Sequence, residues 1–183
     1  QRQMCIRDSD QPAPSVDLSQ LRFTLPLALA GERCATLGSR NASFGHGEDP
    51  ARLDRPLSLV QWNLDRHALF GRERIDYRTN AHGWVHLANT QTGITLKLRH
   101  PWQNYPKAYT AHNAGLDIDL YPDLSDFEVS SDEPGRRWTE IDREEDIAYD
   151  GPLRIPQGMA KTHELFIHCG PAGQSARQID THS

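Results

Sequence analysis

The chain has 183 residues with 20 basic and 25 acidic side chains, a formal charge of −5, intermixed along its length. That length suits one domain, and the charge offers no general attraction to nucleic acid phosphates, so no nucleic-acid partner is expected. No apolar run is long enough to cross a bilayer, and a hydrophobic share of 37% points to an ordinary-to-thin core with long loops.

The first residues, QRQMCIRDS, resemble translated sequencing-adapter read-through of the kind found at the ends of metagenomic reading frames. Residues 1–20 are therefore read as a disordered or artefactual segment, with Asp10 to Asp17 a Pro-rich connector. Leu21 to Ala30 sets Phe23, Leu25, Leu27 and Leu29 on one face of a strand, and Pro26 argues for an edge or a bulge. Gly31 to Pro56 reads as loop, broken by glycines, Asn41 and Pro50. Leu57 to Leu64 is the next strand, Arg66 to Gly71 a turn, and Ile75 to Thr79 a short extended piece.

The stretch from Gly83 to Lys107 organises the rest. Val85 and Leu87 alternate with Trp84, His86 and Ala88, and Ile94, Leu96, Leu98 and His100 alternate with Thr95, Lys97 and Arg99. Period two marks strands with one buried face, and Asn89 to Gly93 supplies the turn between them. Pro101 ends the second strand, because proline cannot donate to a ladder. Lys107 to His112 and Leu116 to Tyr121 flank Asn113-Ala114-Gly115, a second hairpin, with Leu116, Ile118 and Leu120 facing in and Asp117, Asp119 and Tyr121 out.

Pro122 to Gly135 is acidic and reads as a solvated loop; its oxygen donors lack the spacing and glycine of a calcium loop. Arg136 to Ile147 fits either a short helix or an exposed edge, and Gly151-Pro152 and Pro156 to Gly158 are turns. Ala160 to Cys169 is the last strand, with His163, Leu165, Ile167 and Cys169 on one face. Residues 172–183 form a linker or tail. Six or seven strands without a long helical period give an all-β fold over residues 21–171, an antiparallel β-sandwich with an open barrel as the alternative.

Three cysteines, Cys5, Cys34 and Cys169, lack metal-like spacing, and pairing of Cys34 with Cys169 stays open. They do not fix a cellular compartment. Searches for a phosphate loop, a G-x-S-x-G elbow, a zinc helix and a nucleotide fingerprint find nothing, so no metal or cofactor is expected. Of the 9 histidines, His46, His67 and His182 read as partnerless loop or tail residues.

Two clusters carry possible chemistry. The first is Trp102, Gln103, Asn104, Tyr105 and Lys107; the second is Lys161, Thr162, His163 and Glu164. Each sets a cation beside a titratable ring at the mouth of a strand. A uronate would use such a pair, with the cation holding the carboxylate and Tyr, His or Lys removing the α-proton. The structural alternatives are a capped core edge for the first cluster and a hydrogen-bonded pair pinning the strand for the second. Exposed rings at Trp62, Trp84 and Trp102 would favour sugar binding, and buried rings a scaffold.

Gly83-Trp84-Val85, the run Trp102 to Lys107, the L-Y-P ending at Pro122 and Ala160 to Leu165 occur in an order and spacing that resemble the central β-sandwich domain of the exo-rhamnogalacturonan lyase-like family, polysaccharide lyase family 26. The resemblance spans roughly Leu57 to Pro171. It implies β-elimination at galacturonate–rhamnose linkages of pectin by a longer parent chain. This sandwich would there sit between an N-terminal β-domain and a C-terminal α/α-toroid, both lacking from this sequence. The motif positions it carries over are Trp102, Gln103, Tyr105, Lys107, Lys161, His163 and Glu164. Tyr105, Lys107 and His163 are the expected catalytic residues, and Trp102, Gln103, Lys161 and Glu164 the expected substrate-binding ones, with a polysaccharide or oligosaccharide as the partner. A non-catalytic scaffold or carbohydrate-binding domain is the alternative.

Overall fold

A computed structural model describes residues 15–39, 50–127, 153–156 and 160–172. Among these the chain is all-β: thirteen strands, with helical structure confined to two 3-10 turns. Strands β2 (Leu21–Pro26), β5 (Leu57–Asn63), β6 (Arg66–Phe70), β7 (Arg74–Tyr77), β10 (Lys107–His112) and β11 (Gly115–Tyr121) form a six-stranded sheet in the order β2-β11-β10-β5-β6-β7. Strands β3 (Cys34–Leu37), β4 (Ala51–Arg52), β8 (Trp84–Ala88), β9 (Thr92–Leu98) and β13 (Leu165–Pro171) form a five-stranded sheet in the order β13-β9-β8-β3-β4. A separate ladder joins β1 (Ser15–Leu18) to β12 (Leu153–Pro156). Every pairing is antiparallel, and the two large sheets pack face to face as a β-sandwich.

The core follows from the alternation. Leu59, Leu69, Tyr109, Leu116 and Ile118 from one sheet meet Leu37, Val85, Leu87, Leu96 and Leu98 from the other. Each fully buried Leu or Ile contributes about 2 kcal/mol. A second cluster lies on the outer face of the six-stranded sheet, where the 3-10 turn Leu124–Phe127 lays Leu124 and Phe127 over Val60, Trp62, Ala68, Ala108 and Phe70. That cover buries a face expected to be wet. Asp117 and Asp119 point outward as the alternation requires and are still buried.

The two expected hairpins form, in registers that set Trp84 opposite Lys97 and Ala111 opposite Leu116. Pro26 closes an edge strand, the position proline tolerates. Four expectations need correction. Arg66–Phe70 is an inner strand rather than a turn; both of its faces are covered, so it lacks the alternation that betrays a half-buried strand. The stretch Gly31–Pro56 contains β3 and β4, too short to show a period. Ser15–Leu18, read as connector, pairs with β12. The last strand starts at Leu165 rather than Ala160 and lies at a sheet edge, leaving Phe166 and Ile167 exposed.

Cys34 and Cys169 are free. They sit on β3 and β13 with β9 and β8 between, three strand spacings or about 14 Å apart, which exceeds disulfide reach. Arg136–Ile147, most of the acidic loop after Phe127, and the turns at residues 151–152 and 157–158 lie outside the described residues, as do Cys5, His46 and His182. Among the described residues, no helix is long and apolar enough to cross a membrane.

Candidate functional site

One end of the sandwich replaces apolar core with polar side chains. Register sets Lys107 opposite Gln61, Gln61 opposite His67, and His67 opposite Tyr77. All four share the inward orientation of Tyr109 and Leu59, two residues along their strands, so a polar row crosses the sheet just beyond the apolar core. Lys107, Gln61 and His67 are each no more than 1% exposed. Buried polar groups need partners, and here they have them.

Lys107 Nζ donates to the carbonyls of Asn104, Pro106 (2.9 Å) and Leu120 (2.7 Å). Three acceptors match the three N–H groups of an ammonium; a neutral amine has two. Burial and the neighbouring Lys161 charge pull this group down to about 7, and the three carbonyls oppose that pull by favouring the cation. The geometry therefore makes Lys107 the clamp of its own loop. It ties the 3-10 turn Trp102–Asn104 and the cis Tyr105–Pro106 peptide to the end of β11.

The loop before β13 comes to the same end. His163 lies near enough to Lys107 and Lys161 that, after desolvation, both charges lower its pKa. The two sequence clusters therefore converge. Lys161 is exposed and His163 and Tyr105 are half-buried, so these three border solvent. Glu164 is engaged elsewhere: Arg99 Nη1 donates to its carboxylate at 2.7 Å, and the Arg99 amide donates to its carbonyl at 3.0 Å. Both side chains are more than half exposed, so the pair contributes little to stability but fixes the approach of residues 160–164. Gln103 is exposed in the 3-10 turn. The Trp102 ring is outside the described side chains.

The aromatic platform does not assemble. Trp62 and Trp84 are buried, the first on the outer face of the six-stranded sheet and the second on that of the five-stranded sheet. Arg74 lies over the Trp62 ring, 5.9 Å from its centroid. Trp84 packs against Gly38, where an added Cβ would stand 2.7 Å from the ring.

His67 is the main residue that sequence reasoning missed, and its assignment to a partnerless loop is corrected. It is fully buried on β6, with Nε2 2.8 Å from Ser39 Oγ, Nδ1 2.6 Å from the Thr79 carbonyl, and its ring stacked on Tyr77 at 4.8 Å. Burial is the main influence on its pKa, lowering it and favouring the neutral imidazole. Gln61 completes this network, donating to the carbonyls of Asn63 and Leu64 and accepting from the Ala81 amide at 3.0 Å. No motif joins these residues. The available signal was the two-residue link Leu64-Asp65 between two short apolar stretches.

Comparison with known proteins finds no family model that matches the chain. No curated protein matches it either.

Proposed function

We propose that this sandwich belongs to a polysaccharide lyase that cleaves rhamnogalacturonan-type uronate linkages by β-elimination, with the end bearing Lys161 and His163 turned to the substrate. The observation that carries this reading is the convergence of Lys107, Lys161 and His163 from two distant stretches of chain. An exposed ammonium at Lys161 pairs with the uronate carboxylate and stabilises the charge that develops when the α-proton leaves. An imidazole whose neutral form is favoured by burial and two nearby cations accepts that proton. The C–H electrons form the new C=C bond as the glycosidic C–O bond breaks, and the departing sugar oxygen takes a proton. Tyr105, on the same loop as Lys107, is the second group able to exchange a proton there. Lys107 acts at one remove, through its charge and the loop it clamps.

In this reading the flanking β-domain and α/α-toroid of a longer parent chain complete the cleft. The parent protein with His163→Ala or Lys161→Ala should lose most turnover on rhamnogalacturonan, followed by the absorbance of the unsaturated product. Full turnover in both variants contradicts the assignment.

A second reading, a non-catalytic scaffold, draws on two specific observations. All three Lys107 N–H groups are taken by backbone carbonyls, and Trp62 and Trp84 are buried on opposite faces. It expects substitutions in both clusters to change stability or domain docking while leaving turnover per folded molecule unchanged.

A further inference from the structure

The opposite end of the sandwich holds a cavity of about 510 Å³ bordered by Arg33, Arg52 and Arg72, with Glu32, Asp54 and Asn113 among them. Three separate pieces of chain build it: the segment entering β3, the segment around β4, and the turn between β6 and β7, with the tip of the β10–β11 hairpin closing one side. The Leu53 amide donates to the Arg33 carbonyl at 2.9 Å, which holds the first two pieces together. The volume lies within the range of small-ligand sites.

Three guanidinium groups face two carboxylates here, a local excess of positive charge on a chain whose total is −5. Arg52 pairs with Glu32 at 2.9 Å and Arg72 with Asp54 at 2.6 Å. Arg72 holds the Asp54 carboxyl below its usual range, so that pair stays ionised. Among the described residues Arg33 has no carboxylate partner; its Nη1 donates to the Asn113 carbonyl. A guanidinium has five N–H donors in a fixed fork. One bond to Asn113 orients Arg33 and leaves donors for an anion.

We propose that this cavity binds the carboxylate of a small hydroxylated acid, a uronate sugar, with Arg33 as the principal anchor and Arg72 at the rim. Arg33 supplies a charge-assisted fork for the carboxylate, and the Asn113 amide, Glu32 and Asp54 offer partners for hydroxyls. The choice of a uronate over another small anion rests on the lyase reading above; the anion site stands on the cavity and its charges. The site lies at the far end of the sandwich from Lys161 and His163, so it would hold a different residue of an acidic polysaccharide or a separate chain.

The test is titration of the 183-residue chain with galacturonate, galactose and inorganic phosphate, read residue by residue from amide chemical shifts, in wild type, R33Q, R72Q and K161A. Arg72 is largely exposed, so R72Q reports on the site even if R33Q unfolds. Support is a galacturonate response around Arg33 and Asn113 that galactose does not give, weakened about tenfold in R33Q or R72Q, the loss of one charge-assisted hydrogen bond, and kept in K161A. A response confined to residues 161–163 and lost in K161A overturns this site while keeping the lyase reading. Phosphate binding as tight as galacturonate overturns the sugar assignment, and the absence of any response near Arg33 overturns the proposal.

Discussion

Lys107 Nζ donates to the Leu120 carbonyl at 2.7 Å, joining the first residue of β10 to the end of β11 from inside the sandwich. With the Asn104 and Pro106 carbonyls, that bond makes Lys107 a structural cation. Lys107→Met keeps the apolar stem and strands one buried and two partly buried carbonyls, which should cost about 3 kcal/mol. Lys161→Met, at an exposed position, should stay within about 0.5 kcal/mol of wild type. Urea unfolding of the two variants checks this, and equal small losses would contradict the clamp.

Acid should weaken the fold through its histidines. His67, His86 and His163 each have a pKa below the ordinary 6.5, with desolvation the first cause in every case. A base whose folded pKa is depressed binds fewer protons folded than unfolded between the two values, so stability rises with pH across that window. It is fully present above 6.5 and is lost as pH falls toward the folded values. His67→Gln should flatten the profile of stability between about pH 7 and about pH 5, and an unchanged slope would remove His67 from the account.

The sequence made one half of this molecule easy to read. The β8–β9 and β10–β11 hairpins set polar residues such as Thr95, Lys97, Asp117 and Asp119 between their apolar ones and have turn residues between strands, so the period-two run of Ile94, Leu96 and Leu98 and that of Leu116, Ile118 and Leu120 revealed them. Strand β6 is covered on both sides, by Leu59 and its neighbours within and by Phe127 and Leu124 without, and its residues RHALF carry no such period. The site was legible as two clusters of suitable residue types. Their convergence was not, because it depends on β13 pairing with β9 in the register Leu165 to Leu98. Nor was the burial of Lys107, whose partners are backbone carbonyls that no side-chain pattern encodes.

Arg22 and Asp119 form a two-pronged pair, with Nε 2.7 Å and Nη2 3.1 Å from the carboxylate oxygens. Asp119 is fully buried, and desolvation raises its pKa despite Arg22. Arg22→Ala leaves that carboxylate without its cation and should destabilise by about 3 kcal/mol. Adding Asp119→Asn removes the stranded charge and should recover part of the loss. A double variant less stable than Arg22→Ala alone would contradict this.

Gly83 connects the fold to the site. Its φ of +71° disfavours any side chain, and an added Cβ would stand 2.2 Å from Pro101, the residue that begins the turn toward Lys107. Gly83→Ala should cost about 2 kcal/mol and shift amide resonances from Trp102 to Lys107. Thermal unfolding and an amide spectrum check both, and a wild-type spectrum in that stretch would sever the link.

The most direct test of the lyase reading is turnover of rhamnogalacturonan by the parent protein and its His163→Ala variant, each normalised to folded protein and followed by the absorbance of the new C=C bond. The reading predicts a loss of about a hundredfold or more with stability unchanged, the scale of a general base. Equal turnover in the two proteins would contradict it and leave the sandwich as a scaffold.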